Sequence, residues 1–403
     1  MKRCLSLCLF LLAITQTQAQ WTTNVATSLS DSATASLLTC GAGDEFYTAF
    51  GHTALRICDP SQNLDVVYNY GTFDFDEPLF YLKFARGKLN YRLARCSFER
   101  FLLDYAYERR SVYEQPLVAT PDEVQQLYDA LKNNYKPENR YYQYDFFRDN
   151  CATRVRDMIE ECIPILSHEP ATIPQSNLSF RDLIYPYCEP DRLWGRLGVD
   201  ILLGARCDLP VEERDYMFIP FHLRDAVDSL CRRDDGRQLA STTRQLLTEQ
   251  RPTTRRGISP TMLFWILAAV VTLVTTGSFI HNHGLQRWKV FDTILFSLVA
   301  GVGLLLLFMW FCTDHYCTKW NLNLLWANPF LLWLAVRPQQ RDTGLTLFCA
   351  TLLVVLLAFF WLLPQHFNAA VFPVALVLLL RLVARLWSTQ PTSQYKQRKT
   401  IKN

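Results

Sequence analysis

Hydrophobic positions divide the chain into two parts. Over roughly the first 258 residues, apolar positions recur in short strand-like and helix-like periods, and the remainder is mostly Leu, Val, Phe, Trp and Ala. Five apolar runs cover residues 263–280, 290–312, 322–336, 345–363 and 369–387. Each is near the length that crosses a hydrocarbon core of about 30 Å. The pattern therefore predicts a folded ectodomain, followed over residues 259–387 by a transmembrane bundle of about five helices.

The third apolar run is the shortest and contains Asn323, Asn328 and Pro329. It either spans the bilayer or is re-entrant and buried against its neighbours. Basic residues in short loops stay on the cytoplasmic side. Five crossings satisfy this rule with the ectodomain outside and the basic tail, residues 388–403, in the cytoplasm, although Arg255 and Arg256 before the first run weigh slightly against it.

The first residues have the order of a secretory signal. Lys2 and Arg3 precede an apolar run from Cys4 to Ile14, and small residues follow up to Ala19. We predict cleavage after Ala19, the alternative being an uncleaved anchor. Residues 20–258 then form an exported domain.

Charge and cysteine usage narrow the class of protein. A net charge of +3 argues against a nucleic-acid partner. Export places the ectodomain cysteines in an oxidising compartment, where disulfides persist: Cys40, Cys58, Cys96, Cys151, Cys162, Cys188, Cys207 and Cys231. Their pairing stays open, and reserving one as a nucleophile leaves another unpaired or paired with Cys317. The spacing of cysteines, histidines and acidic residues supports neither a metal site nor a cofactor.

Local patterns predict several ectodomain elements. A Ser/Thr-rich lead, residues 22–39, is expected to be extended or mobile. Strands are predicted over 51–58 and 66–75, and a helix over 98–111. A second helix begins at Thr120, where Pro121 and Glu123 complete a capping box.

Another predicted helix places a cysteine in its first turn. Asp149 or Asn150 is the expected N-cap, and Cys151 shares an apolar face with Val155 and Ile159, so the thiol points inward. Arg154 and Arg156 fall mainly on the opposite face. Free backbone amides at a helix start favour a thiolate, which is the reactive form of cysteine.

A histidine beside Cys151 would relay its proton. The ectodomain candidates are His52, His168 and His222. His52 follows a glycine at the start of a short predicted strand, which would hold the imidazole rigidly. The sequence therefore predicts a Cys151–His52 pair, and a buried structural cysteine with a core histidine stays open as the alternative.

Four ordered motifs resemble one protein family. They read DEFY at 44–47, FGHTALR at 50–56, YNYGTF at 68–73 and DNCATR at 149–154. Together with the membrane region they resemble the Lnb family, the lipoprotein N-acyltransferases of Bacteroides-type bacteria. The resemblance implies an α+β ectodomain of the circularly permuted NlpC/P60, papain-like kind, as in lecithin:retinol acyltransferase.

The same resemblance implies roles for particular residues. Cys151 is the expected nucleophile, His52 the base, and Asn69 the group that orients the imidazole, unless Asn69 is only a strand-end turn residue. Arg154 and Arg156 either bind a lipid phosphate or belong to an exposed helix face. The position of the outer loop, where the bilayer surface meets the ectodomain, gives Asp314 and His315 three possible roles: they join the active site, steady a lipid head group, or are ordinary interfacial residues.

The expected function is transfer of an acyl chain from a membrane phospholipid, through a Cys151 thioester, to the N-terminal amine of diacylglyceryl-cysteine lipoproteins. The expected location is the bacterial inner membrane, with the N-terminal domain in the periplasm. Two alternatives remain open: a periplasmic NlpC/P60-like amidase or peptidase acting on the cell wall, and a non-catalytic membrane protein that binds lipid or lipoprotein.

Overall fold

A computed structural model describes residues 27–74, 76, 78–165, 177–188, 192–232, 234–250, 257–280, 288–337 and 342–388. Three predictions fall wholly or mostly outside these ranges: the signal peptide (1–19), the basic tail (388–403) and any role for His168.

The ectodomain contains one antiparallel sheet. Its seven strands are β1 (Thr34–Cys40), β2 (His52–Asp59), β3 (Leu64–Thr72), β4 (Asn90–Ser97), β5 (Val112–Pro116), β6 (Tyr141–Gln143) and β7 (Arg244–Leu247). Their order across the sheet is β6-β4-β3-β2-β1-β5-β7. The β2–β3 hairpin turns through Pro60–Gln62, where Asp59 caps the turn and Asn63 takes a left-handed conformation.

Eight described helices accompany the sheet. They are α1 (Phe80–Ala85), α2 (Phe98–Tyr107), α3 (Pro121–Tyr135), α4 (Cys151–Cys162), α5 (Phe180–Cys188), α6 (Leu193–Leu202), α7 (Glu213–Tyr216) and α8 (Pro220–Ser229). The predicted capping box at α3 is present, because Thr120 accepts from the Glu123 amide and Glu123 accepts from the Thr120 amide.

Helices cover both faces of the sheet. Alternate residues of a strand point to opposite faces. On β1, Leu37 joins the core beneath α3, α4 and α8, whereas Leu38 joins the core beneath α2. The sheet is thus the middle layer of the ectodomain.

The Ser/Thr-rich lead was predicted to be extended or mobile, and its later part is extended. Its second half is β1, which lies between β2 and β5, and six of its seven residues are buried. Small Ser and Thr side chains fit a covered strand when Leu37 and Leu38 supply the packing. Sequence patterns also missed β4 and β5, and α2 ends at Tyr107 before the predicted residue 111.

The C-terminal half is helical. Its described helices are α9 (Pro260–Ile280), α10 (Lys289–Phe311), α11 (Leu331–Val336), α12 (Thr343–Ala358) and α13 (Val371–Ser388). Among the described residues, Pro260–Ser278 and Lys289–Phe311 are long and apolar enough to cross a bilayer, and Thr343–Ala358 is apolar but shorter. Trp310 and Trp320 lie together at the outer end of α10, with ring centroids 5.6 Å apart.

The third apolar run is broken. A 3₁₀ turn at Leu322–Leu325 is followed by the six-residue α11, which is about 9 Å long at 1.5 Å per residue. The chain also approaches α10 closely, since a Cβ on Gly303 would lie 2.0 Å from the Ala327 carbonyl oxygen. This region therefore packs against α10 and does not form a single spanning helix.

An ion pair ties three membrane helices together. Arg381 of α13 donates to both carboxylate oxygens of Asp292 at 2.7 and 2.9 Å, and to Thr275 of α9 at 2.9 Å. The Arg381 side chain is buried. A charge removed from water in this way persists because it is paired and hydrogen-bonded.

Hydrogen bonds join the ectodomain to the outer end of the bundle. Asn321 and Asn323 donate to backbone carbonyls at the end of α6, and Asn368 donates to Asp200 at 2.9 Å. Asp200 also accepts from Arg181 at 2.8 Å, and both side chains are fully buried. We call this set of five residues the polar collar. It fixes α6 against the membrane helices.

Candidate active site

Helix α4 begins at a well-satisfied cap. Of the two predicted caps, Asn150 is the one used: its Oδ1 accepts from the amides of Ala152 and Thr153 at 2.8 and 2.9 Å. Its Nδ2 donates to the carbonyls of Phe146 and Phe218. Asn150 therefore holds the start of α4 in place.

Cys151 follows the cap and faces the sheet, as predicted. The residue is buried, and its sulfur lies by the backbone amides of Thr53, Ala152 and Cys151 itself. Amides converging on one position can stabilise negative charge there. Thr53 directly follows His52, so the cysteine meets the sheet at the start of β2.

His52 is positioned by the backbone on either side of it. Gly51 has φ +82°, and a Cβ there would lie 2.7 Å from the Cys40 carbonyl oxygen, so only glycine fits. His52 pairs with Cys40 across the β1–β2 ladder. The imidazole is thereby fixed at the start of β2, a central strand that packs against α4.

Asn69 of β3 contacts the imidazole. His52 Nε2 and Asn69 Oδ1 are 3.1 Å apart. An amide oxygen accepts, so in this arrangement Nε2 carries the proton and Nδ1 holds the basic lone pair. The sequence placed Asn69 near His52, and the structure gives it the geometry of an orienting group.

Gly71 shows that the cysteine and histidine share one space. A Cβ on Gly71 would lie 3.5 Å from the Cys151 Cβ and 4.0 Å from the His52 Cε1. Gly71 has φ +87°, and the β3–β4 register shifts between Asn69 and Thr72. This irregularity in β3 leaves room for the two side chains to meet.

The charge state of the pair differs from the predicted thiolate. Burial raises the pKa of the Cys151 thiol to about 11, although the neighbouring amides act to lower it. Burial, followed by the positive charge of Arg110, lowers the pKa of His52 to about 4. At neutral pH the pair is therefore an uncharged thiol beside an uncharged imidazole.

Arg110 is a buried charge near the site that sequence reasoning missed. Its Nε donates to the Gly41 carbonyl at 2.8 Å, and its Nη1 pairs with Glu108. Its Nη2 is buried without a hydrogen-bond partner among the described residues. No local motif marks this arginine, because the fold brings it beside β1 from the loop before β5.

The two helix arginines occupy different environments. Arg154 pairs with Asp149 and lies over the Tyr142 ring at 4.1 Å, half-exposed. Arg156 was expected on an exposed face, and this was wrong: it is buried and donates to Asp157 and to the Arg214 carbonyl. The hydrogen bond from Arg156 to the Arg214 carbonyl holds α4 against α7. The Arg156 guanidinium is therefore not available to a lipid phosphate.

Asp314 and His315 contact the ectodomain away from the cysteine–histidine pair. His315 Nε2 is 3.2 Å from the Phe84 carbonyl oxygen, and the Asp314 amide donates to the Arg86 carbonyl. The Lys88 Nζ lies 3.7 Å from the Asp314 Oδ2.

The histidine candidate His222 stacks on Tyr216 with ring centroids 4.1 Å apart. Over the described ranges no group of three or more His, Cys, Asp or Glu side chains is arranged to hold a metal.

Fold and site define a class: an integral membrane protein whose sheet-and-helix ectodomain presents a buried cysteine beside an asparagine-bonded histidine. Residues 17–179 match the Lnb N-terminal periplasmic domain, and residues 252–393 match the Lnb transmembrane domain. The chain therefore belongs to the Lnb family, with a periplasmic N-terminal domain and a membrane-helical domain. The resemblance found in the sequence motifs is confirmed.

Searches among curated proteins and among solved structures give no match. The permuted papain-like arrangement of the ectodomain therefore stays a prediction, and so does the count of five membrane helices.

Proposed function

We propose that this protein is a lipoprotein N-acyltransferase with Cys151 as its nucleophile. It takes an acyl chain from a membrane phospholipid and passes it to the N-terminal amine of a diacylglyceryl-cysteine lipoprotein. The observation that carries the proposal is a cysteine in the first turn of a capped helix, sharing one space with an imidazole bonded to Asn69.

In the first half-reaction, His52 takes the thiol proton as the Cys151 sulfur attacks the ester carbonyl. The bond from the carbonyl carbon to the glycerol oxygen breaks, and that oxygen receives the proton from His52. A thioester and a lysophospholipid result. The amides around the sulfur are placed to stabilise the oxyanion that forms on the way.

In the second half-reaction, the lipoprotein amine attacks the thioester carbonyl. The carbon–sulfur bond breaks, the amine loses a proton through His52, and Cys151 regains its thiol. The product carries three acyl chains. Membrane anchoring suits this chemistry, because exposing an acyl chain to water costs about 0.8 kcal/mol per CH₂.

Mass spectrometry of lipoprotein N-termini tests the proposal. Cells that contain this protein should carry N-acylated lipoproteins, and cells that lack it should accumulate the diacyl form with a free amine. Identical N-termini in the two strains would overturn the proposal. Release of muropeptides by the purified protein would instead favour a cell-wall amidase.

The pH dependence of acyl transfer should reflect the lowered pKa of His52. A base with pKa about 4 stays unprotonated down to that pH, so the rate of the first half-reaction, acylation of Cys151 in the absence of lipoprotein, should change by less than about twofold between pH 5.5 and 7.5. Below pH 4 it should fall about tenfold per unit as the imidazole is protonated. Initial rates from purified full-length protein in phospholipid micelles measure this. An acid limb near 6.5, the ordinary histidine value, would contradict the buried state of His52.

A further inference from the structure

An open cleft lies between the ectodomain and the outer end of α10. It has a volume of about 570 Å³. Its walls come from the segment that follows β3 and from the α10 terminus with the loop beyond it. The lining residues used below are Leu82, Arg86, Lys88, Phe308, Phe311 and Asp314.

One side of the cleft is apolar and lies at the outer end of α10. Phe311 is 69% exposed and Leu82 is 49% exposed. Tyr81 and Phe84 of α1 are exposed beside them. Exposed apolar side chains grouped in this way mark a binding surface. At the outer end of a membrane helix, acyl chains are the apolar groups at hand.

The other side of the cleft is charged. The Arg86 side chain is exposed and has no hydrogen-bond or ion-pair partner in the part of the chain that the structure describes. Lys88 pairs loosely with Asp314: their charged atoms are 3.7 Å apart and both side chains are exposed, so solvent weakens the attraction. The two cations complement a phosphate, and the carboxylate can face a head-group ammonium.

A cluster of rings leads from the cleft toward Cys151. Phe84 and Phe80 stack with centroids 6.3 Å apart, and Phe80 is 5.8 Å from Phe73. Phe73 follows Thr72 at the end of β3, two residues beyond Gly71. Ring contacts therefore join α1, which borders the cleft, to Phe73, two residues along the chain from the glycine that contacts Cys151 and His52.

We propose that this cleft binds the donor phospholipid, with its phosphate on Arg86 and Lys88 and its acyl chains over Leu82 and Phe311. This site deepens the proposed function and rests on it, since the bound phospholipid is an acyl donor only if the protein transfers acyl chains. Asp314, for which a head-group contact was one of three alternatives left open by the sequence, would face the ammonium of a phosphoethanolamine. Zwitterionic head groups should therefore bind better than phosphoglycerol.

Photolabelling tests the site without requiring turnover. The probe is a phosphatidylethanolamine with a diazirine in one acyl chain, added in detergent micelles to full-length protein carrying Cys151→Ala. Labelled peptides should map to residues 80–88 and 308–314. Arg86→Gln with Lys88→Gln should reduce labelling at least fivefold, and the matched double variant Arg100→Gln with Arg237→Gln should not. Arg100 and Arg237 are exposed and ion-paired elsewhere.

Competition completes the design. Unlabelled phosphatidylethanolamine should compete, phosphatidylglycerol should compete less, and inorganic phosphate should not. Labelling that maps elsewhere, or that survives loss of both cations, overturns the site even if acyl transfer occurs. Labelling at the cleft in a protein that never transfers an acyl chain would refute the proposed function and leave the lipid site standing.

A different observation concerns Cys207 and Cys317. Cys207 belongs to the 3₁₀ turn Ala205–Asp208 of the ectodomain, and Cys317 to the turn Tyr316–Thr318 of the outer membrane loop. Both are buried, and they belong to the same hydrophobic cluster. The backbones are also joined, since the Gly204 amide donates to the Cys317 carbonyl at 2.8 Å and the Ala205 amide donates to the Trp320 carbonyl at 3.1 Å.

We infer that Cys207 and Cys317 form a disulfide in the exported protein, which cross-links the ectodomain to the membrane domain. The oxidant is a protein disulfide of the periplasm. One thiolate attacks that disulfide, the second displaces the mixed disulfide, and two electrons and two protons leave the pair to give a dithiol on the oxidant.

Peptide mapping tests this inference. Membranes are alkylated under denaturing, non-reducing conditions and digested. A peptide pair linked through Cys207 and Cys317 should appear and should vanish on reduction. Cys349 lies in helix α12 and is the control, since it should be alkylated without reduction. Alkylation of Cys207 and Cys317 before reduction, or linkage of either to another cysteine, would overturn the inference.

Discussion

Replacing Cys151 by alanine should abolish acyl transfer, with a loss of at least ~10³-fold in rate. The substitution removes the only atom that can carry the acyl chain in the proposed reaction. It should leave the fold intact, because alanine fits the first turn of α4 and the Asn150 cap does not use the sulfur. The measurement is the mass of the intact protein incubated with phospholipid: wild type should gain one acyl chain, removable by neutral hydroxylamine, and the variant should gain none.

Cys162→Ala is the matched control. Cys162 lies at the other end of α4, is buried to a similar degree and belongs to the same hydrophobic core. It has no histidine among its described contacts. This variant should retain the adduct and the rate. An adduct that persists in Cys151→Ala, or disappears only in Cys162→Ala, would place the nucleophile elsewhere.

Replacing His52 by alanine should slow acyl transfer by about 10²–10⁴-fold. The raised pKa of Cys151, about 11, leaves only about one thiol in 10⁴ ionised at pH 7, so attack depends on a base. Without His52 the rate should rise about tenfold for each pH unit between 7 and 9, as hydroxide supplies the thiolate. The pH–rate profile separates this effect from simple misfolding, which would lower the rate equally at every pH.

His222→Ala serves as the control for this experiment. His222 is a partly buried ectodomain histidine that stacks on Tyr216, and its Nδ1 lies 3.3 Å from the Tyr216 carbonyl oxygen. Its loss should leave the rate and its pH profile unchanged. A His52→Ala variant with the wild-type profile would remove His52 from the mechanism.

Features set by neighbouring residues could be predicted from the sequence. The capping box of Thr120 and Glu123, the cap at Asn150 and the inward direction of Cys151 each depend on a few positions along one helix. The hairpin between β2 and β3 follows from its turn residues in the same way. His52 and Asn69 come together because they lie on the two paired strands of that hairpin.

Features set by distant packing could not. The Ser/Thr composition of the lead gives no sign that β1 lies between β2 and β5, because its partners are supplied by later segments. Arg156 has polar neighbours in the sequence, yet its side chain is buried and bonds to the Arg214 carbonyl of α7. The free backbone amides at the start of α4 indicated a thiolate at Cys151. Burial against the sheet outweighs their effect and raises the pKa of the thiol.

The polar collar has a consequence for the choice of acceptor. Because Asp200, Asn321 and Asn323 tie α6 to the bundle, we expect the sulfur of Cys151, the proposed nucleophile, to stay at one height above the lipid plane. An amine a few bonds from its own lipid anchor already lies near that height, so it reaches the sulfur by lateral diffusion in two dimensions. An amine at the end of a long soluble tether must search a volume. Selectivity for lipid-anchored N-termini can thus arise from the fixed height of the proposed active site above the bilayer. It needs no pocket that recognises peptide sequence.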